Sequence, residues 1–85
     1  MNIYYSPEFV RRFKKLPRES RLEALEKEKI FRKDYRDPKL KTHKLSGNLE
    51  GRLAFWVDFR TRIVFSFLDS KNVYFHSIGS HDIYR

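Results

Sequence analysis

Cysteine is absent from all 85 residues. No disulfide framework and no thiolate metal site can hold this fold, and a thiol nucleophile is excluded. A chain without thiols suits a reducing compartment, and the expected location is the cytoplasm. Also missing is any run of about 18 consecutive apolar residues, the length that a membrane-spanning helix requires. The opening MNIYYSPEFVRRFKK has no apolar stretch of the secretory kind, so a soluble protein with no membrane partner is expected. No internal repeat, linker or low-complexity tract interrupts the chain. Acidic residues are scarce, with 11 Asp and Glu against 19 Lys and Arg, a formal charge of +8 and a pI near 10.0. Such a surplus favours polyanionic partners, whether RNA, DNA, a ribosome or an acidic protein.

A chain this short encloses about one hydrophobic core, so residues 1–85 are read as a single domain. Eight Phe, five Tyr and one Trp supply its bulk. The basic character is unevenly placed. Residues 1–45 hold 14 Lys and Arg against 7 Asp and Glu, whereas residues 46–85 hold 5 against 4.

Residues 2–5 are β-prone, and Ser6-Pro7-Glu8 then supplies an N-cap, a proline at the first helical position and an acid beside the helix dipole. A helix is predicted from there to Pro17, with Phe9, Val10, Phe13 and Leu16 as its apolar face. A second helix is predicted from Arg18 to about Asp34, supported by Glu23/Lys27 and Glu28/Arg32 four residues apart. Its expected stripe is Leu22, Leu25 and Ile30, with Ala24 and Phe31 at the margins. Two helices joined at one proline predict a helical hairpin. Residues 35–51 contain Asp37-Pro38, Ser46-Gly47 and Gly51 and read as a long loop with internal turns. After Gly51 the period changes to two. Leu53, Phe55 and Val57 alternate with Ala54, Trp56 and Asp58, and Ile63, Phe65 and Phe67 alternate with Arg62, Val64 and Ser66. With Val73–Ile78 and the short polar connections 58–61 and 69–72, these strands predict an antiparallel meander. The order β-α-α-β-β-β indicates a small α+β fold with the helices covering one face of the sheet.

Three stretches, HKLSGNLEG at 43–51, RTRIVFSF at 60–67 and GSHDIYR at 79–85, resemble in order and spacing the toxins of the RelE/ParE superfamily, especially its YafQ and YoeB branches. The resemblance implies a RelE-like, microbial-RNase-type fold. It further implies a metal-independent endoribonuclease, without cofactor, that cuts mRNA in the ribosomal A site and is restrained by a cognate acidic antitoxin. Its chemistry is attack of a ribose 2′-hydroxyl on the adjoining 3′-phosphate. That reaction needs a base for the 2′-proton, a cation for the phosphorane and an acid for the leaving oxygen.

The same resemblance distributes these tasks over four residues. His43 is the candidate base, because an imidazole with a pKa near ~6.5 serves either half of proton transfer; a surface loop histidine is its alternative. Arg62, in RIVF, is the candidate phosphate grip, with a strand arginine paired to Asp58 or Asp69 as the alternative. His81 is the candidate acid, and Tyr84 stacks on a base or donates to the phosphate; an undocked tail is the alternative for both. Arg11, Arg12, Lys14, Lys15, Arg18, Lys41, Lys44 and Arg60 are expected to approach mRNA or ribosomal RNA. His76 and Trp56 are read as structural. The chain departs from its relatives at Ser77 and Arg60, where YafQ-like members carry an arginine and an acid, and at Leu53 and Phe55, where RelE itself carries lysines. Two other activities fit the same composition: a ParE-like gyrase poison, and a non-catalytic basic nucleic-acid or ribosome-binding module.

Overall fold

Helix α1 (Pro7–Lys15) starts at the predicted cap, since the Ser6 hydroxyl accepts from the Phe9 amide at 2.9 Å and Pro7 sets the first turn. The same hydroxyl donates to the His76 carbonyl at 2.6 Å, so this buried side chain both caps the helix and ties it to the sheet. Helix α2 (Arg18–Lys33) follows after Leu16-Pro17 and has no side-chain cap at its start. These bounds come from a computed structural model that describes residues 1–84; the side chains of His81 and Asp82 and the whole of Arg85 lie outside the described residues.

Five strands form one sheet in the order β1-β5-β4-β3-β2, where β1 is Asn2–Tyr5, β2 His43–Lys44, β3 Leu53–Trp56, β4 Arg62–Phe67 and β5 Asn72–Gly79. The predicted meander is present as antiparallel β3-β4-β5. Strand β1 adds to β5 in parallel, with Asn2 opposite Asn72 and Tyr5 opposite Phe75. The turns expected inside the loop over 35–51 are present, but the span also holds a strand. That span contains single 3₁₀ turns at Pro38–Leu40 and Gly47–Leu49 and the edge strand β2 between them. Fully buried Leu40 anchors it, and Gly47 and Gly51 take the positive φ (65° and 92°) that the turns need.

One face of the sheet holds Phe55, Ile63, Phe65, Val73, Phe75 and Ile78, and both helices cover it. Here the expected helical stripes are revised. In α2, Ala24 and Phe31 are buried while Leu22 and Leu25 are each 47 % exposed. Residues 24 and 31 lie two turns apart on one side of the helix, where the small alanine brings the backbone close and the phenylalanine fills the sheet's centre. The Phe31 ring lies 5.1 Å from Phe55, 4.9 Å from Phe65 and 5.4 Å from Phe75. In α1, Val10 is exposed and Phe9 takes the buried position.

Against the opposite face, Ala54 and Val64 pack with Ile83 from a terminal 3₁₀ turn (His81–Tyr84), with Leu45 and Tyr84 alongside. Ile83 is buried there, so this 3₁₀ turn packs onto the sheet. A bulge follows Val64, which pairs with Ser77 while Phe65 pairs with Phe75. His76 is left unopposed, and both it and Ser77 turn to this helix-free face, where they line one pocket.

Candidate functional site

Residues opposed in an antiparallel ladder share a face, which lets the register place the candidates. His43 opposes Ala54, Ala54 opposes Val64, and Val64 opposes Ser77. Trp56 opposes Arg62 in the neighbouring row. His43, Trp56 and Arg62 therefore share the helix-free face. Their backbones are two strands and one same-face step apart, roughly 10 Å across the sheet and 7 Å along it.

Trp56 connects these positions. The Lys41 ammonium lies 4.1 Å from its ring centroid and the Arg62 guanidinium carbon 3.7 Å from it, both within cation–π range. Lys41 is two residues before His43 and adopts the left-handed conformation (φ 50°) that turns the chain into β2. The His43 Nδ1 is 3.1 Å from the Lys41 carbonyl. A carbonyl only accepts, so Nδ1 carries a proton, and Nε2 is the ring nitrogen left to face a substrate. Thr42 between them holds the loop down by donating to the Tyr35 carbonyl at 2.6 Å.

Arg62 is 5 % exposed and pairs with neither Asp58 nor Asp69. Its Nη1 donates to the carbonyls of Asp58 (2.6 Å) and Thr61 (3.1 Å), and its Nη2 to that of Phe59 (3.2 Å). These bonds use both Nη1 protons and one of Nη2. What remains is the edge formed by Nε–H and the second Nη2 proton, and such an edge matches two oxygens of a phosphate. The Asp58 carboxylate shapes the same turn. Burial works against its charge, but bonds from the Arg60 and Thr61 amides and from Ser20 prevail and hold its pKa below the ordinary value.

Tyr84 belongs to the same neighbourhood. Burial pushes its hydroxyl up from the ordinary phenolic pKa, while the charge of Arg62 pulls the other way. The side chain of His81 lies outside the described residues. The structure thus brings Lys41, His43, Trp56, Arg62 and Tyr84 to one face. Trp56, read from the sequence as structural, shares the strand parity of Ala54 and Arg62 and not that of Phe55.

The remaining cations are dispersed. Arg11, Lys14 and Lys15 border a shallow surface of α1 beside Tyr5 and Val10, on the helical side of the sheet. Arg12 pairs with Glu8 at 3.4 Å. Arg18 is exposed at the start of α2, Lys44 is exposed on the edge strand, and exposed Arg60 lies 5.4 Å from the Phe59 ring. His76 is held by Ser66, whose hydroxyl is 2.7 Å from Nε2, and by the edge of Tyr74. Among the described residues, no group of three or more His, Cys, Asp or Glu is placed to hold a metal, and no helix is long and apolar enough to cross a membrane.

No protein-family model matches the chain, and no curated protein sequence does. Solved structures do. The YoeB–YefM toxin–antitoxin complex from Staphylococcus aureus aligns at a TM-score of 0.77 with 21% identity, covering 95% of this chain and 97% of that one. YafQ from E. coli BL21(DE3) aligns at 0.71 with 20% identity over 96% and 94%. The archaeal RelE–RelB complex from Pyrococcus horikoshii OT3 aligns at 0.74 with 17% identity over 93% and 92%. The α+β architecture described above is the fold of these YoeB, YafQ and RelE structures.

Proposed function

We propose that this chain, which has the RelE-type toxin fold, is the toxin of a toxin–antitoxin pair and acts as a metal-independent, ribosome-dependent mRNA endonuclease. The observation that carries the reading is the helix-free face, where Lys41, Trp56 and Arg62 form one cation–aromatic row with His43 beside it and Tyr84 docked next to Arg62. RNA needs flat surfaces for its bases and cations for its phosphates, and this row supplies both. In the reaction His43 Nε2 removes the 2′-proton, and the 2′-oxygen attacks the adjoining phosphorus. The free edge of Arg62 holds the phosphorane, and the P–O5′ bond breaks as His81 protonates the departing oxygen. A cyclic phosphate and a 5′-hydroxyl result. Tyr84 stacks on a base or donates to the scissile phosphate. A site with so few groups depends on the ribosome to align its substrate, and exposed cations such as Lys44 and Arg60 meet ribosomal RNA.

The partner is an acidic antitoxin segment that neutralises this cationic surface as it folds onto it. Inducible expression with mapping of new mRNA 5′ ends tests the assignment. The wild type is expected to arrest growth and cut within codons. His43→Ala is expected to lower cleavage by about 10²–10⁴-fold, the usual worth of a general base, with His81→Ala, Arg62→Lys and Tyr84→Phe also weakening it. Circular dichroism on each variant separates lost chemistry from lost folding. Cuts indifferent to all four changes would refute the site, and DNA breaks in place of RNA cuts would make the protein a gyrase poison.

A further inference from the structure

Beyond the Arg62 row, the helix-free face carries a second feature that the proposed chemistry does not use. Between the start of α1 and the β4–β5 bulge lies a cavity of about 290 Å³, lined by Glu8, Arg52, Tyr74, His76 and Ser77 and closed on one side by Ile83. That volume is near the lower end of small-ligand pockets, roughly 300–1,000 Å³. Ser77 is 4 % exposed, and its hydroxyl, buried in the wall of the cavity, has no hydrogen-bond partner among the described residues. A buried hydroxyl without a partner is costly, so an unfilled hydrogen bond here points to a ligand.

The charged groups on the rim define which ligand. Glu8 engages Arg12 through Oε2 and leaves Oε1 uncommitted. No carboxylate among the described residues takes the Arg52 guanidinium. His76 lines the same cavity and feels both charges. Its ring, edge-on to Tyr74 at 4.8 Å, forms an aromatic wall. A simple anion suits this pocket badly because Glu8 would repel it, and a simple cation suits it badly because of Arg52. A carboxylate and a guanidinium lining one cavity match a guanine. Among the RNA bases it alone offers N1–H and the N2 amino group as neighbouring donors on one edge and O6 and N7 as neighbouring acceptors on another. Adenine and cytosine would each turn a ring-nitrogen acceptor toward the carboxylate.

We infer that the cavity between α1 and the β4–β5 bulge is a guanine-recognition pocket, in which Glu8 accepts from N1–H and the amino group, Arg52 donates to O6 and N7, and Ser77 Oγ supplies the buried third contact. Ile83, which lines this cavity, neighbours Tyr84 in the terminal turn, so a base seated there belongs to the RNA that the nuclease reading places on the same face. In that respect the inference rests on the nuclease reading, and it would make this pocket the determinant of sequence preference around the cut.

The test needs no cleavage. Isotope-labelled protein is titrated with the 5′-monophosphates of guanosine, adenosine, cytidine and uridine, and with inorganic phosphate, while the amide resonances of Arg52, His76 and Ser77 are followed. Guanosine monophosphate is expected to shift them at a concentration about tenfold or more below that needed for the other nucleotides, the discrimination typical of one bidentate base contact. Glu8→Gln and Arg52→Gln, both at the rim, are expected to abolish that preference, and Ser77→Ala to weaken binding while retaining it. Equal shifts from all four nucleotides, shifts reproduced by phosphate alone, or no shifts at saturating nucleotide would each overturn the proposal. Guanosine binding in a protein that cuts no mRNA would refute only the nuclease, whereas mRNA cutting without guanosine shifts would refute only the pocket.

Discussion

His76 shows how one position senses its surroundings. Burial is the main cause that lowers its pKa below the ordinary 6.5, the positive charge of Arg52 adds to it, and Glu8 opposes. The unfolded chain therefore takes up this proton first as the pH falls. Stability from the neutral imidazole is present above the unfolded value and is lost as the pH falls through the lower folded one. Thermal denaturation from pH 7.5 to 5 is expected to show the wild type losing Tm below about pH 6.5, with a flatter profile for His76→Gln. Identical profiles would mean that the ring is solvated and its environment misjudged. The residue scale also marks what sequence could not disclose. Periodicity places Arg62 on a strand, but its engagement by the carbonyls of Asp58, Phe59 and Thr61 depends on how the turn folds back, which no spacing encodes. For Trp56 the sequence offers no distinction, because burial and cation stacking both call for a large aromatic ring.

Among the elements, α1 was legible to within a residue because its signals are local: Ser6, Pro7 and Glu8 begin it, and Pro17 follows its end. Its cap also holds it to β5. Ser6→Ala removes the bond to the Phe9 amide and the bond to the His76 carbonyl, and is expected to destabilise the protein by about 1–2 kcal/mol. At roughly 4–8 °C per kcal/mol for a domain of this size, a calorimetric Tm within 2 °C of wild type would show that the cap does not anchor the helix. Helix α2 was legible in extent but not in orientation. Leu22 and Leu25 outweigh Ala24 in hydrophobicity, yet the helix turns its smallest residue to the sheet, because close approach seats Phe31 among three other phenylalanines. Strand β2 was invisible, since two residues cannot display a period of two. The parallel pairing of β1 has no local signal at all, because its partner lies 70 residues away.

For the molecule as a whole, stability rests on stacked aromatic rings rather than on covalent staples. Phe31 is fully buried and touches Tyr35, Phe55, Phe65 and Phe75. Phe31→Ala is expected to cost about 3–5 kcal/mol, a large share of the 5–15 kcal/mol that typical domains possess. Urea denaturation is expected to show a much lower midpoint, with Phe31→Leu in between; an unchanged midpoint for Phe31→Ala would mean that the ring cluster is not the keystone. The order of the sheet carries a further consequence. Strand β1 occupies an edge and has β5 as its sole neighbour. Because 70 residues separate Asn2 from Asn72, this pairing closes a long loop and is a slow, non-local step of folding. The sheet therefore gains its β1 edge only once β5 is in place, and until then β5 itself presents an unpaired edge.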